Sequence, residues 1–183
     1  MTNFFKRLLF LIILSPVLSG STPVLIEDPY VDVRLRGGEI EKLGSWKFPP
    51  DIQICEGSPA ARAEVAAAVE WWKTRGYTFG NIVEAGHGNG CIVGSAYGSI
   101  VISLISQENF NPSNHATTFI RFDRETGEIV RVRIELKENL RERILEHEIG
   151  HALGWLHINR RGHLMHPILE NGGWNDEGLV QNL

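Results

Sequence analysis

The chain has 183 residues, 43% hydrophobic and 22% charged, with a formal net charge of −4. That composition suits one soluble globular domain large enough to bury a core, and it argues against a disordered chain. The small negative charge offers no handle for nucleic acid or an anionic lipid surface, so neither is expected as a partner.

Residues 1–20 read as a signal peptide. Lys6 and Arg7 precede the apolar run Leu8–Leu14, and Val17-Leu18-Ser19 offers a cleavage site. The run is shorter than the roughly 20 apolar residues of a spanning helix, so no stable membrane association is expected once it is removed. Leu18-Ser19-Gly20-Ser21 lacks the cysteine of a lipoprotein box. The expected location is secreted or periplasmic. Residues 21–45, with Asp28, Pro29 and Asp32, read as a leader or short pro-segment, and residues 46–183 as the working domain.

Within that domain, Trp46–Cys55 fits a first strand, with Ile52 and Ile54 alternating against polar neighbours. Ser58-Pro59 is a helix start, and the helix is placed over Ala60–Lys73, ended by Gly76. Ile82-Val83 and Ile100–Ile105 read as strands around the loop Gly86-His87-Gly88-Asn89-Gly90. Thr117–Phe122 and Ile129–Leu136 alternate about the turn Asp123–Gly127 and predict a hairpin. A helix follows over Leu140–Leu153, with Asn139 as its N-cap. Cys55 and Cys91 are the only cysteines. In an exported chain they suggest one disulfide, worth roughly 3–4 kcal/mol in the chain-entropy model, in preference to two separate buried thiols.

The densest chemistry lies in His147-Glu148-Ile149-Gly150-His151-Ala152-Leu153-Gly154-Trp155-Leu156-His157. A helix puts His147 and His151 on one face, one turn apart, where two imidazoles can grip one zinc ion at roughly 2.0–2.1 Å. A straight helix could not deliver His157 to the same ion. Gly154 can, because glycine takes the left-handed conformation that ends a helix and turns the chain. Three protein ligands leave a position open for water, which marks a catalytic rather than a structural site. Glu148, beside the first ligand, can take a proton from that water and pass it to a departing amine.

With Leu164-Met165-His166-Pro167 downstream, these residues resemble the metzincin clan of zinc endopeptidases, whose long motif is followed by a Met-turn. The spacing from His157 to Met165, and Pro167 after it, are similar to the matrixin branch, where L-M-Y-P is usual. Pro167 stands where astacins and serralysins carry an extra zinc-binding tyrosine, which favours a plain three-histidine site. The tail Trp174–Leu183 resembles the last helix of matrixin catalytic domains. The sharp likeness covers Leu140–Leu183.

The resemblance implies an α+β, metzincin-like zincin: a mixed twisted sheet with a helix on its face, a zinc-site helix and a small C-terminal subdomain. It implies a secreted zinc-dependent endopeptidase that hydrolyses internal peptide bonds by a Glu-assisted zinc-bound water. Metal ligands would be His147, His151 and His157, with Glu148 catalytic and Met165 packed beneath the histidines. One catalytic zinc is expected. Structural calcium or a second zinc is not supported, since the loop Gly86–Gly90 lacks acidic ligands. His87 and His115 read as surface histidines, and His163 and His166 as pocket wall or solvent-facing. The cysteine by which many matrixins hold themselves latent is absent from the leader. Asp28 or Asp32 could stand in for it, against the plainer reading of a surface strand or linker.

Metzincins carry an edge strand above the cleft, which points to Thr117, Thr118 and Phe119 for main-chain pairing with substrate. Ile158 and Pro167 are candidates for the pocket wall. The expected partner is a protein or peptide substrate, and the chain is expected to be a monomer. A reading from another class is a secreted zinc-containing binding protein of the same fold without turnover. Glu148 speaks against it, because binding alone needs no carboxylate there.

Overall fold

The computed structural model describes residues 25–26, 42–86, 91, 97–109 and 114–181. The signal segment, Asp28, Asp32 and His87 lie outside them. The elements in order are β1 (Leu25–Ile26), β2 (Asp51–Cys55), α1 (Arg62–Lys73), β3 (Ile82–Ala85), β4 (Ser99–Leu104), β5 (Ala116–Phe122), β6 (Ile129–Leu136) and α2 (Ile144–Ala152). Short 3-10 turns lie at Gln107–Asn109 and Leu169–Asn171.

Alternation along the strands builds the core. Ile52 and Ile54, Ile100 and Ile102, and Val132, Ile134 and Leu136 are all buried on one sheet face. Against it lies α1, whose buried stripe is Val65, Ala68, Val69 and Trp72. The sheet order is β1-β5-β6-β4-β2-β3. β2, β3, β4 and β6 pair in parallel, while β5 is antiparallel to both β6 and β1. The sheet is therefore mixed, and its antiparallel end faces the second helix. Trp72 joins the helices by donating Nε1–H to the Glu146 carbonyl at 2.8 Å. Cys55, at the end of β2, is bridged to Cys91.

Four element boundaries differ from the sequence reading. β2 begins at Asp51 rather than Trp46, because Pro49 and Pro50 have no N–H to give a ladder. α1 begins at Arg62 with Ala61 as N-cap, not at Ser58. The Glu64 carboxylate accepts from the Ala61 N–H at 2.7 Å and does the capping there. α2 begins at Ile144, and its cap is Arg143 in the left-handed region at φ 73°, not Asn139.

The fourth difference is the tail. Between Gly172 and Gln181 the described chain forms turns, not a helix. Gly178 has φ 86°, which interrupts a helical run. The tail is pinned by the buried Leu179, by the Gln181 N–H to the Arg75 carbonyl at 3.0 Å, and by Arg75–Asp176 at 2.5 Å. The chain after α2 is thus a small C-terminal part held by turns.

Candidate active site

The site is assembled where α2 ends. Gly154 has φ 95°, and a Cβ placed there would lie 2.2 Å from the Gly44 carbonyl oxygen, so only glycine fits both the turn and the close approach. The turn sends the chain back along α2 and brings His157 to it. The Nε2 atoms of His147 and His157 each lie 3.1 Å from Nε2 of His151. All three ligand atoms lie within 4.8 Å of one another.

The tautomers follow from their partners. Nδ1–H of His147 donates to the Leu164 carbonyl at 2.8 Å, and Nδ1–H of His151 to the Trp155 carbonyl at 2.7 Å. A carbonyl can only accept, so the Nε2 atoms of both rings carry lone pairs. Lone pairs that converge at 3.1 Å repel unless a cation sits between them. Tetrahedral bonds of roughly 2.0–2.1 Å would set such nitrogens about 3.3–3.4 Å apart. The donor set, tautomers and spacing therefore fit a zinc ion. Burial, then His147 and His157, hold His151 well below the usual histidine pKa, and burial followed by His147 and His166 lowers His157 to about 4. Both rings are thus neutral and ready to ligate at neutral pH.

Met165 is fully buried beneath the metal helix. A Cβ on Gly150 would meet its Sδ at 2.4 Å, so the thioether occupies the space a side chain would take between the two helical histidines. His163 and His166, expected on the pocket wall or in solvent, are instead buried and bonded to backbone groups of their own loop and of the tail. His163 accepts from the Met165 N–H at Nδ1 (3.0 Å) and donates from Nε2 to the Glu177 carbonyl at 3.1 Å. His166 accepts from the Ile168 N–H at 3.0 Å. These imidazoles pair with backbone groups that the turns leave without partners.

Glu148 is 7% exposed and lies on α2 between the two helical histidines. Burial raises its pKa, opposed by the charge of His147 and by a hydrogen bond from Thr118. Thr118 Oγ1–H donates to Glu148 Oε2 at 2.5 Å. That bond is absent from the sequence reading, which places Thr118 only on the substrate edge. The signal was a hydroxyl on the apolar face of β5, in line with the buried Ile120 and Phe122.

On the outer edge of β5, Leu25 pairs with Arg121 and Ile26 with Ile120. Among the described residues, Thr117, Thr118 and Phe119 have no strand partner on that side. Pro167 is partly exposed, but Ile158 is 1% exposed and packs in the core, its N–H bonded to the Met165 carbonyl at 2.8 Å. Ile158 is therefore no open pocket wall. His115 is half-buried at the start of β5, away from the metal cluster.

Residues 103–181 match the family model for peptidase M10, matrixin. None of the curated proteins compared with the chain matches it.

Proposed function

We propose, from the match of residues 103–181 to the matrixin family model and from the three-histidine cluster, that this chain is a matrixin-like zinc metallopeptidase, a secreted endopeptidase cutting internal bonds of extended protein segments. The observation that carries the reading is the convergence of three imidazole Nε2 atoms with a buried carboxylate from the same helix. His147, His151 and His157 would hold the zinc. Zinc in such a site lowers the pKa of a water to about 7 and polarises a substrate carbonyl.

The protein's own groups then do the rest. Glu148, its pKa raised by burial, accepts a proton from the attacking water and later delivers it to the departing amine. The main chain of Thr117–Phe119 supports pairing with an extended substrate, because among the described residues it has no strand partner on its outer side. Such pairing ignores side chains and needs no chain terminus, which favours internal cleavage. A signal-like N-terminus supports export, and no described helix is long and apolar enough to cross a membrane.

The test is to purify the exported chain, measure zinc, and digest an unfolded protein with and without chelator. Cleavage at internal sites that stops with chelator is expected. Glu148→Ala should retain the metal and lose cleavage by about two to four orders of magnitude, the range of a general acid–base group. Stepwise loss of terminal residues, or full activity in Glu148→Ala, would overturn the reading.

A further inference from the structure

We infer that Thr118 is a positioning residue for Glu148: it holds one carboxylate oxygen so that the other is free for proton transfer, and it couples the base to the strand proposed for substrate. The inference rests on the peptidase reading above.

The case begins with an anomaly in the strand. β5 sends Thr118, Ile120 and Phe122 to the face that packs on α2, and Ile120 and Phe122 are buried there. A hydroxyl in that row costs free energy unless it is bonded. Its partner is the Glu148 carboxylate, itself 7% exposed. The ionised carboxylate can only accept, so the hydroxyl proton points at Oε2. No described residue donates a hydrogen bond to Oε1.

Two consequences follow from the chemistry. The last torsion of a glutamate is broad, so an untethered carboxylate exchanges its two oxygens and samples many tilts. A fixed bond to Oε2 removes that freedom before substrate arrives, which is pre-organisation of the base. The tether also survives the proton cycle. When a water O–H bond breaks and the proton bonds Oε1, Oε2 becomes the carbonyl oxygen and still accepts from Thr118. When that proton passes to the departing amine nitrogen, the carboxylate returns with the same bond in place. Thr118 keeps its own proton throughout.

The position on β5 adds register. The backbone of Thr118 lies in the sheet, paired with Ile134 on one side and without a strand partner among the described residues on the other, while its side chain reaches across to α2. A substrate strand paired along Thr117–Phe119 is thus aligned against the residue that holds the base.

The experiment compares Thr118→Val, which keeps the shape and loses the hydroxyl, with Thr118→Ser, which keeps the hydroxyl. Zinc content should match wild type in both. In Thr118→Val, kcat should fall about tenfold to a hundredfold, the scale of a misplaced catalytic group. KM should stay within about twofold, since main-chain pairing is intact, and Thr118→Ser should recover kcat to within about threefold of wild type. A merely structural role would lower folding stability without separating kcat from KM.

A readout independent of turnover is the proton NMR spectrum of the zinc-loaded protein. A slowly exchanging hydroxyl proton is expected in wild type and Thr118→Ser, and not in Thr118→Val or Glu148→Ala. Wild-type kcat in Thr118→Val, or a hydroxyl signal indifferent to Glu148→Ala, overturns the inference. A zinc-loaded wild type that cleaves nothing, while the signal behaves as expected, overturns the peptidase reading and upholds the contact.

Discussion

The histidines of the cluster make the metal-free protein sensitive to acid. Burial is the largest cause of the low pKa of His151 and His157, with neighbouring imidazoles second. In the unfolded chain both titrate near 6.5, whereas in the folded chain His157 titrates at about 4 and His151 well below 6.5. Between those values the unfolded state binds more protons, so their contribution is complete above pH 6.5 and is lost as pH falls toward 4. The melting temperature of chelator-treated protein should drop through that window. His157→Ala should show a shallower drop over the same range. Equal slopes for the two proteins would remove His157 as the cause. With zinc present the same protons compete for the ligands, so metal release should follow the same direction.

At the scale of the helix, the end of α2 depends on a segment far away in sequence. The last carbonyls of a helix have no partner within it. Trp46 Nε1–H supplies one to Ala152 at 2.7 Å, and the Leu43 N–H supplies another to Gly154 at 2.8 Å. Lys42 lies over the Trp155 and Tyr77 rings at 4.4 and 4.8 Å, close to the negative end of the helix dipole. A Cβ on Gly44 would collide with the Gly127 carbonyl oxygen, and a Cβ on Gly154 would collide with the Gly44 carbonyl oxygen, so the two glycines let these backbones meet. Residues 42–46 therefore clamp the turn that aims His157. Trp46→Phe keeps most of the ring and removes the donor, which should cost about 1 kcal/mol. A shift of the urea midpoint at unchanged slope measures it, and no shift would mean that water serves the Ala152 carbonyl equally well. The helix itself was visible in the spacing of His147, His151 and the apolar residues. Its clamp was not, since nothing in the pattern of Lys42–Trp46 says which carbonyls it meets.

For the whole molecule, the open question at the cleft is competition for one sheet edge. Among the described residues, the outer side of β5 is paired by β1 at Arg121 and Ile120. An uncovered edge accepts another strand, and the covered stretch is unavailable to substrate while β1 stays. Removing residues before Lys42 should raise kcat/KM severalfold for unfolded protein substrates, because it frees the part of β5 that β1 pairs with. Zinc binding should be unchanged, because the clamp at Lys42–Trp46 is kept. Equal kcat/KM for the full and shortened chains would show that β1 does not compete with substrate.

Fixed spacings and local chemistry determined much of this protein from sequence alone. Four-residue spacing on a helix brings His147 and His151 together whatever the rest of the chain does, and Gly154 can only be followed by a turn. Alternation in β5 and β6 marked the hairpin, and the two cysteines marked one bridge. Contacts between segments distant in sequence were decided by the tertiary structure. Thr118 meets Glu148 across 30 positions, and Trp46 meets Ala152 across 106. The tail stays in turns because its own glycines and the Arg75 contacts outweigh a weak helical pattern. His163 and His166 turn inward because their rings pair with backbone groups that the turns leave without partners. Sequence spacing specifies what one helix or strand presents, and only the packed fold selects which presented groups meet.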